Sequence, residues 1–456
     1  MPLRSITFLC YFLGSCGLSF ITPMVGVVCY LVVYHVFPHT TWWGKHLSFL
    51  GLRYSFLCGA CLLVGTALNL NRLRFGRRFL HPIELMCLSV LLVMVLSSIA
   101  SGTWCARTEF ALDKMFKVIL FGMVMVHVVT SRKYMWTLTI LFTALSLYLG
   151  IEARNAPRSA FTDNRLDAIG GPDFRESASL AIHLFALLPF VGVVLRQKSI
   201  LLKALAFLAG CYSINAILLC RARTAFVAGV IAGILALWYI PKRHRLWVVV
   251  MLVLAVIGGI ILSDTWFWER MFTIFDAPEE RDASAAYRLV IWSAAWEMFK
   301  ANPGGVGVGQ FRNRIGQYAV HPSEYALVHD RDAHNSYILC AAETGVLGLA
   351  VYLGTLAMAW LTLGRAERLA RRHIVDSDRI EMMIFASRLA LFVYMISGMF
   401  VSRFYTEATW IFIMMPACLD RVVENEIRAT TKQTAALLML NMQIEETARG
   451  HLLPAT

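Results

Sequence analysis

The chain has 456 residues, of which 58% are hydrophobic, and its mean hydropathy is +0.63. This composition excludes an ordinary soluble protein and predicts one that lies in a membrane. The net charge of +13 would suit a nucleic-acid-binding protein, but the cations lie in short loops between apolar stretches, so they indicate membrane topology instead and no binding of nucleic acid.

Apolar stretches long enough to cross a hydrocarbon core recur along the chain. We interpret them as helices, because lipid leaves no partner for free backbone groups and barrel strands would alternate with period two. The predicted spans are residues 5–20, 22–36, 51–70, 82–100, 114–130, 134–152, 177–195, 200–219, 224–240, 246–263, 335–363, 383–401 and 405–419. Residues 5–36 cross once or twice, so we expect an all-α polytopic membrane protein with about 12 or 13 crossings.

The cation-rich loops are separated by even numbers of spans, which the positive-inside rule assigns to the cytoplasm. Their cations are Arg72, Arg74, Arg77, Arg78, Arg132, Lys133, Arg196, Lys198, Lys203, Lys242, Arg243, Arg245, Arg365, Arg368, Arg371 and Arg372. The loops at 101–112, 154–175, 220–223, 264–334 and 402–408 then face outward.

The largest outward loop divides the chain into N-terminal membrane helices (1–263), a partly helical loop (264–334), C-terminal membrane helices (335–420) and a cytoplasmic tail (421–456). Within the loop, residues 283–299 predict an amphipathic helix whose apolar face includes Ile291 and Met298. So much polar sequence among membrane helices favours catalysis or ligand capture at the membrane surface.

His334 leads the candidate site residues, because an imidazole in a polar loop at the end of a span can accept a proton near pH 7. The alternative is a helix cap, since Asn335 and its neighbours are typical helix-start residues. Glu343 lies in the span that follows, where it needs a partner: it orients the histidine or an arginine, or it hydrogen-bonds within the helix bundle.

Arginines form the second group of candidates. Arg221 and Arg223 lie between two apolar runs and need an anion or water, or else they extend to the membrane interface. Arg288 lies near the start of the predicted loop helix, and guanidinium groups that converge would suit a pyrophosphate. The glycine-rich stretch 304–309 lacks the phosphate-loop spacing and predicts a tight turn. The 11 Cys predict neither a disulfide framework nor a metal site.

Three stretches together resemble the O-antigen ligase and polymerase superfamily of bacterial membrane glycosyltransferases. They are Arg221-Ala222-Arg223-Thr224-Ala225; Arg288 with Trp292, Ala295, Trp296, Asn302-Pro303 and residues 305–311; and Ala333-His334-Asn335-Ser336-Tyr337 with residues 343–349. Gly170-Gly171-Pro172 and the span after it are similar to the exosortase-system O-glycosylation ligase branch, although the Asp-Asn-Asn of that branch is absent. Ala222 replaces the serine that usually precedes the arginine.

The resemblance implies a GT-C-like fold, an undecaprenyl-diphosphate-linked glycan donor, and an acceptor that is lipid A core, a protein or another glycan. It also implies inverting transfer without metal or cofactor, on the periplasmic side of the bacterial inner membrane. Carried onto this chain, Arg223 and Arg288 bind the diphosphate with Arg221 as a helper, and His334 is the base. Asn335 and Glu343 are expected to contact the substrate.

Two alternatives remain open. A polymerase of the same superfamily would use the same residues. A transporter or flippase of anionic lipid-linked glycans would line a path with these arginines and form no bond, although the gathering of polar residues at one membrane face favours an enzyme.

Overall fold

The computed structural model describes residues 2–73, 78–273 and 283–451. Its helices are α1 (Leu3–Ser19), α2 (Pro23–Val36), α3 (Tyr54–Leu68), α4 (Pro82–Ala100), α5 (Ala106–Val128), α6 (Arg132–Arg154), α7 (Ser177–Leu195), α8 (Ile200–Cys220), α9 (Arg223–Tyr239), α10 (Arg245–Leu262), α11 (Thr265–Phe272), α12 (Ala283–Ala301), α13 (Phe311–Arg314), α14 (Tyr325–Val328), α15 (Ser336–His373), α16 (Asp378–Ser397) and α17 (Glu407–His451). A two-stranded antiparallel hairpin joins β1 (Phe161–Thr162) to β2 (Arg165–Leu166), with Phe161 opposite Leu166.

The predicted all-α polytopic membrane fold is confirmed, and every predicted span falls on a helix. Within the described residues, 8 helices are long and apolar enough to cross a membrane alone, or 9 if the bent pair Gly44–Leu50 and Tyr54–Leu68 forms one span. α1 and α9 are apolar but shorter. α5 and α17 carry several charges, so their place in the bundle depends on polar partners from neighbouring helices.

The core of the bundle lies around α16 and α7. In their apolar stretches, 83% and 67% of the residues are buried inside the protein. α10 is the opposite case, because only 6% of the residues in its apolar stretch are buried inside the protein. A helix that is apolar on all sides and has most of its residues left exposed by the protein is stable only in lipid. α10 therefore lies at the edge of the bundle, facing the bilayer.

The cation-rich loops lie together at one end of the bundle, where ion pairs connect them to neighbouring helices. We call this end the cationic end. The pairs are Arg132 with Glu426, Arg196 and Arg243 with Asp378, and Arg243 and Arg371 with Glu381. Arg74 and Arg77, predicted to belong to this group, lie outside the described residues. The loop 154–175 and α11 to α14 gather at the other end.

Two of the three predicted domain boundaries lie close to helix ends, and the third lies inside a helix. α10 ends at Leu262 and α15 begins at Ser336, close to the boundaries placed after residues 263 and 334. The boundary after residue 420 falls inside α17, which runs without a break in its assignment to His451. The division of the chain into four segments remains a prediction.

Candidate functional site

A two-residue connection places Arg223 at the end opposite the cationic end. α8 ends at Cys220, Arg221 adopts a left-handed conformation (φ 44°), and Arg223 is the first residue of α9. The Arg223 Nη1 donates to Thr273 Oγ1 at 2.7 Å, just after α11. The sharp reversal between two spans therefore holds this guanidinium at the membrane surface, next to the long loop.

Arg288 projects from α12 towards Arg223. The helix buries Ile291, Ala294 and Met298 against the bundle, as the predicted amphipathic pattern requires. Arg288 itself is half-buried and makes no hydrogen bond or ion pair with any residue that the structure describes. Burial lowers its pKa, and the nearby charge of Arg223 lowers it further. Two neighbouring cations in a partly desolvated place favour an anion between them.

Arg221 is engaged differently from the other two arginines. Its guanidinium forms an ion pair with Asp264 at the N-terminus of α11 and donates to the carbonyl oxygen of Asn164. The side chain is 11% exposed. These contacts join the loop 154–175 to α11, so Arg221 shapes the surroundings of Arg223. Its predicted contact with substrate stays a prediction.

His334 lies in the turn that precedes α15, with a left-handed backbone (φ 46°). Burial lowers the pKa of its half-buried imidazole below the ordinary 6.5; Asp332 and Glu176 oppose this, whereas Arg288 and Arg312 add to it. The imidazole is therefore neutral near pH 7, the form that a general base requires. Arg288 is therefore one of the charged groups that act on His334.

Trp292 connects these two residues, and sequence reasoning assigned it no role. Its indole Nε1 donates to the carbonyl oxygen of Ala333 at 2.9 Å, and Ala333 is completely buried. Trp292 lies one helical turn after Arg288, so α12 presents the guanidinium and supports the His334 turn together. The available sequence signal was the spacing of four residues between Arg288 and Trp292.

Asn335 caps α15 with its whole side chain. Its Oδ1 accepts from the backbone N–H groups of Tyr337 (2.9 Å) and Ile338 (3.0 Å), and its Nδ2 donates to the carbonyl oxygen of Met399 at 3.0 Å. This is the helix-cap alternative raised from the sequence for this group of residues. A direct contact of Asn335 with substrate stays a prediction.

Glu343 is buried within the bundle and holds the glycine loop, residues 302–310. Its Oε1 accepts from the N–H of Phe311 at 3.0 Å, and its Oε2 accepts from the hydroxyl of Tyr405. Its backbone carbonyl accepts from Gly307 N at 3.0 Å. Of the roles considered from the sequence, hydrogen bonding within the bundle is the one observed, and its predicted substrate contact stays a prediction.

The glycine loop fits into a break in α15. Gly345 has φ 72° and ψ −168°, outside the helical region, and the N–H of Val346 donates to Pro303 O at 3.0 Å. A Cβ on Gly345 would lie 2.3 Å from that oxygen, and one on Gly305 would lie 2.4 Å from Glu343 O. The glycines therefore permit close backbone contact, as the tight-turn interpretation expected.

Asp173 forms a partly buried junction beside the site. Its carboxylate accepts from Lys114 Nζ (2.6 Å), Tyr34 OH (3.0 Å) and the N–H of Glu407 (2.8 Å), and its carbonyl oxygen accepts from Arg403 Nη1 (3.2 Å). The junction ties the loop 154–175 to α2, α5 and the start of α17. Sequence reasoning missed it because each partner lies more than 50 residues from Asp173 along the chain.

An apolar groove of about 220 Å³ begins one turn beyond Arg223, between α9 and α11. It is lined by Phe226, Val227, Val230, Ile231, Trp268, Met271 and Phe272. Val230 and Phe272 are 48% and 60% exposed, so the groove opens to the side of the bundle. Across the described ranges, no group of three or more His, Cys, Asp or Glu is arranged to hold a metal ion.

Residues 205–353 match the protein-family model Wzy_C, described as O-Antigen ligase. All three stretches that carried the resemblance lie within this match, which confirms the similarity to the O-antigen ligase and polymerase superfamily. The match does not separate the exosortase-system branch from the others. No curated protein sequence matches the chain.

The chain is also similar to one chain of a solved structure described as "Structural coordination of polymerization and crosslinking by a peptidoglycan synthase complex". The TM-score is 0.40 and the sequence identity is 16%, over 75% of this chain and 97% of that chain.

Proposed function

On the basis of the O-antigen ligase match at residues 205–353, we propose that this protein transfers a glycan from an undecaprenyl-diphosphate-linked donor to an acceptor hydroxyl. The proposal places the reaction on the periplasmic side of the bacterial inner membrane. The cationic end then faces the cytoplasm, in agreement with the positive-inside rule. What supports the proposal is the position of Arg288, which interacts electrostatically with both Arg223 and His334 and whose helix is joined to the His334 turn by the hydrogen bond of Trp292.

The two arginines bind the donor diphosphate in this proposal. Arg288 has no counter-ion among the described residues, and its pKa is lowered by burial and by Arg223. A diphosphate between the two guanidinium groups relieves their repulsion and accepts from both forks of N–H donors. The same contacts stabilise the charge that grows on the leaving group as the glycosidic bond breaks.

The lipid tail of the donor fits the groove between α9 and α11. The groove begins next to Arg223 and is formed by apolar side chains. A diphosphate attached to a long isoprenoid has the same order of charge followed by apolar chain. The groove opens sideways, so the tail can remain continuous with the surrounding lipid.

His334 acts on the acceptor. Its neutral imidazole takes the proton of the acceptor hydroxyl as that oxygen attacks the anomeric carbon, and the bond from this carbon to the diphosphate breaks. One displacement inverts the configuration at the carbon. Undecaprenyl diphosphate leaves as a stabilised anion, so the step uses positioning, electrostatic stabilisation and one base, with no metal or cofactor.

Arg221, Asn335 and Glu343 support this arrangement. We assign Arg221 to the junction of the loop 154–175 with α11, Asn335 to the N-terminus of α15, and Glu343 to the glycine loop. Each keeps a protein partner while the substrate binds beside it, so their substitutions should affect geometry more than charge.

The test uses purified protein in vesicles with a lipid-diphosphate oligosaccharide and an acceptor. Arg223→Ala and Arg288→Ala should each reduce glycan transfer by about a hundredfold or more, because each removes transition-state contacts to the leaving group. The matched control is Lys300→Ala, which removes an exposed cation from the same helix, α12. Its partner is Glu297, one turn away.

The product distinguishes the proposal from its alternatives. A ligase attaches the glycan to a different class of acceptor, whereas a polymerase extends the same glycan. Glycan that crosses the vesicle membrane without a new glycosidic bond would identify a transporter. Near-normal transfer by the double arginine variant would refute the diphosphate-binding role.

A further inference from the structure

A polar cleft lies at the cationic end, far from His334. It has a volume of about 320 Å³, and the charged and polar side chains that line it include Arg78, His81, Arg365, Asp420, Arg421 and Glu424. Twenty residues of α15 separate Gly345 from Arg365, which is roughly 30 Å along a helix. That length equals the hydrocarbon thickness of a bilayer, so the cleft lies at the opposite membrane surface from the site.

Two buried side chains of the cleft keep unmatched atoms of opposite character. Arg421 is 2% exposed; its Nη2 donates to Glu84 Oε2 (2.8 Å) and Phe79 O (2.6 Å), whereas its Nη1 has no hydrogen-bond partner. Asp420 is 1% exposed; its Oδ2 accepts from Arg365 and His81, whereas its Oδ1 has none. Buried polar atoms are costly when unpaired, so one donor and one acceptor here favour a bound polar group.

The charge of the cleft narrows the class of ligand. Three guanidinium groups (Arg78, Arg365, Arg421) face three carboxylates (Asp420, Glu424 and Glu84 behind Arg421). The side chain of His81 is already engaged, because its Nδ1 accepts from Ile83 N and its Nε2 lies 3.2 Å from Asp420 Oδ2. The equal number of cationic and anionic side chains disfavours a ligand with a net negative charge. It favours a zwitterionic ligand that has both an anionic oxygen and N–H donors.

We propose that this cleft binds the headgroup of phosphatidylethanolamine from the adjacent leaflet. The phosphodiester oxygens accept from the exposed guanidinium groups of Arg78 and Arg365 and from Arg421 Nη1. The ammonium group donates to Asp420 Oδ1. Pro82 and Met358 form the apolar wall at which the acyl chains begin. A choline headgroup lacks N–H donors and would leave Asp420 Oδ1 unsatisfied.

The experiment uses the full-length protein in detergent micelles, with added phosphatidylethanolamine, phosphatidylcholine or phosphatidylglycerol. Native mass spectrometry measures how many lipids stay bound, and thermal unfolding measures protection. We expect one tightly held phosphatidylethanolamine and a higher unfolding midpoint with that lipid alone. Equal retention of the three lipids, or a preference for phosphatidylglycerol, would overturn the proposal. Equally tight binding of soluble ethanolamine phosphate would overturn the assignment to a lipid.

Two variants test the proposed contacts. Arg78→Ala should weaken retention of phosphatidylethanolamine by about tenfold, as expected for a lost charge-assisted hydrogen bond. Arg368→Ala removes an exposed cation one turn beyond Arg365, outside the cleft, and should leave retention unchanged. Asp420→Asn should abolish the preference for ethanolamine over choline. Unchanged retention in Arg78→Ala would overturn the proposal even if Asp420→Asn fails to fold.

Discussion

The indole nitrogen of Trp292 lies 2.9 Å from the carbonyl oxygen of Ala333. This hydrogen bond joins the helix that carries Arg288 to the turn that carries His334. In the proposed reaction, these side chains act on the two substrates, the donor diphosphate and the acceptor hydroxyl. In this proposal, the hydrogen bond therefore fixes the distance between the guanidinium that binds the leaving group and the imidazole that takes the proton.

Trp292→Phe keeps an aromatic ring on α12 but removes the hydrogen-bond donor. We expect kcat to fall about tenfold, because a small misplacement of a base slows proton transfer. The KM for the donor should change little, since Arg288 and Arg223 remain. Steady-state kinetics with varied donor concentration measure both quantities.

Trp296→Phe is the matched control, one turn further along α12. Trp296 is 58% exposed and stacks on Phe299, so its substitution should leave kcat unchanged. Equal losses in the two variants would count against a positioning role for Trp292.

The pH profile should report the lowered pKa of His334. A base is inactive when protonated, so activity falls as the pH drops through this pKa, and the acid limb of kcat/KM should lie below the ordinary 6.5. Asp332→Asn removes a charge that raises the pKa, so the limb should move to lower pH. Arg312→Gln removes a charge that lowers it, so the limb should move to higher pH.

Both shifts should be small, because Asp332 and Arg312 are partly accessible to solvent, which screens their charges. The two variants therefore control for each other. Movement of both limbs in the same direction would contradict the assignment of this limb to His334.

Gly345→Ala should destabilise the protein by at least ~2 kcal/mol. The new Cβ would meet Pro303 O at 2.3 Å, and alanine disfavours the φ of 72° at this position. Gly304→Ala is the control, because nothing lies within 4 Å of its added Cβ. Thermal unfolding in detergent compares the two, and similar stability of both variants would show that the backbone contact tolerates movement.

Asp173→Ala should reduce the free energy of unfolding by roughly 2 kcal/mol, because it removes three hydrogen bonds to a partly buried carboxylate, one of them from a charged lysine. It leaves Lys114 without its carboxylate and exposes the start of α17 to rearrangement. Asp163→Ala in the same loop removes an aspartate whose side chain is 79% exposed and should change stability by less than ~1 kcal/mol. Denaturation midpoints measure both, and a difference below the experimental error would contradict the junction's role.

The sequence predicted the membrane helices well, because a span needs many consecutive apolar residues and leaves a strong local signal. The amphipathic face of α12 was equally readable, since Ile291 and Met298 follow helical spacing. Glycine similarly marked the tight turn within residues 304–309. In each of these cases the information lies within about one helix length.

Contacts between distant segments were harder to foresee. Trp292 and Ala333 are 41 residues apart, and nothing in either segment specifies the other. Asn335 and Glu343 are residue types that can bind a substrate. In the folded protein, however, their side-chain oxygens already accept hydrogen bonds from backbone N–H groups. Residue type alone does not reveal whether a polar side chain already has a protein partner.

The sideways opening of the groove between α9 and α11 has a consequence for enzymology. A substrate whose tail stays in the leaflet reaches this protein by two-dimensional diffusion. The quantity that governs its occupancy is then the mole fraction of substrate among the membrane lipids, rather than its concentration in the assay volume. Diluting the vesicles with inert lipid should slow turnover, whereas diluting the whole suspension with buffer should leave the rate per enzyme molecule unchanged.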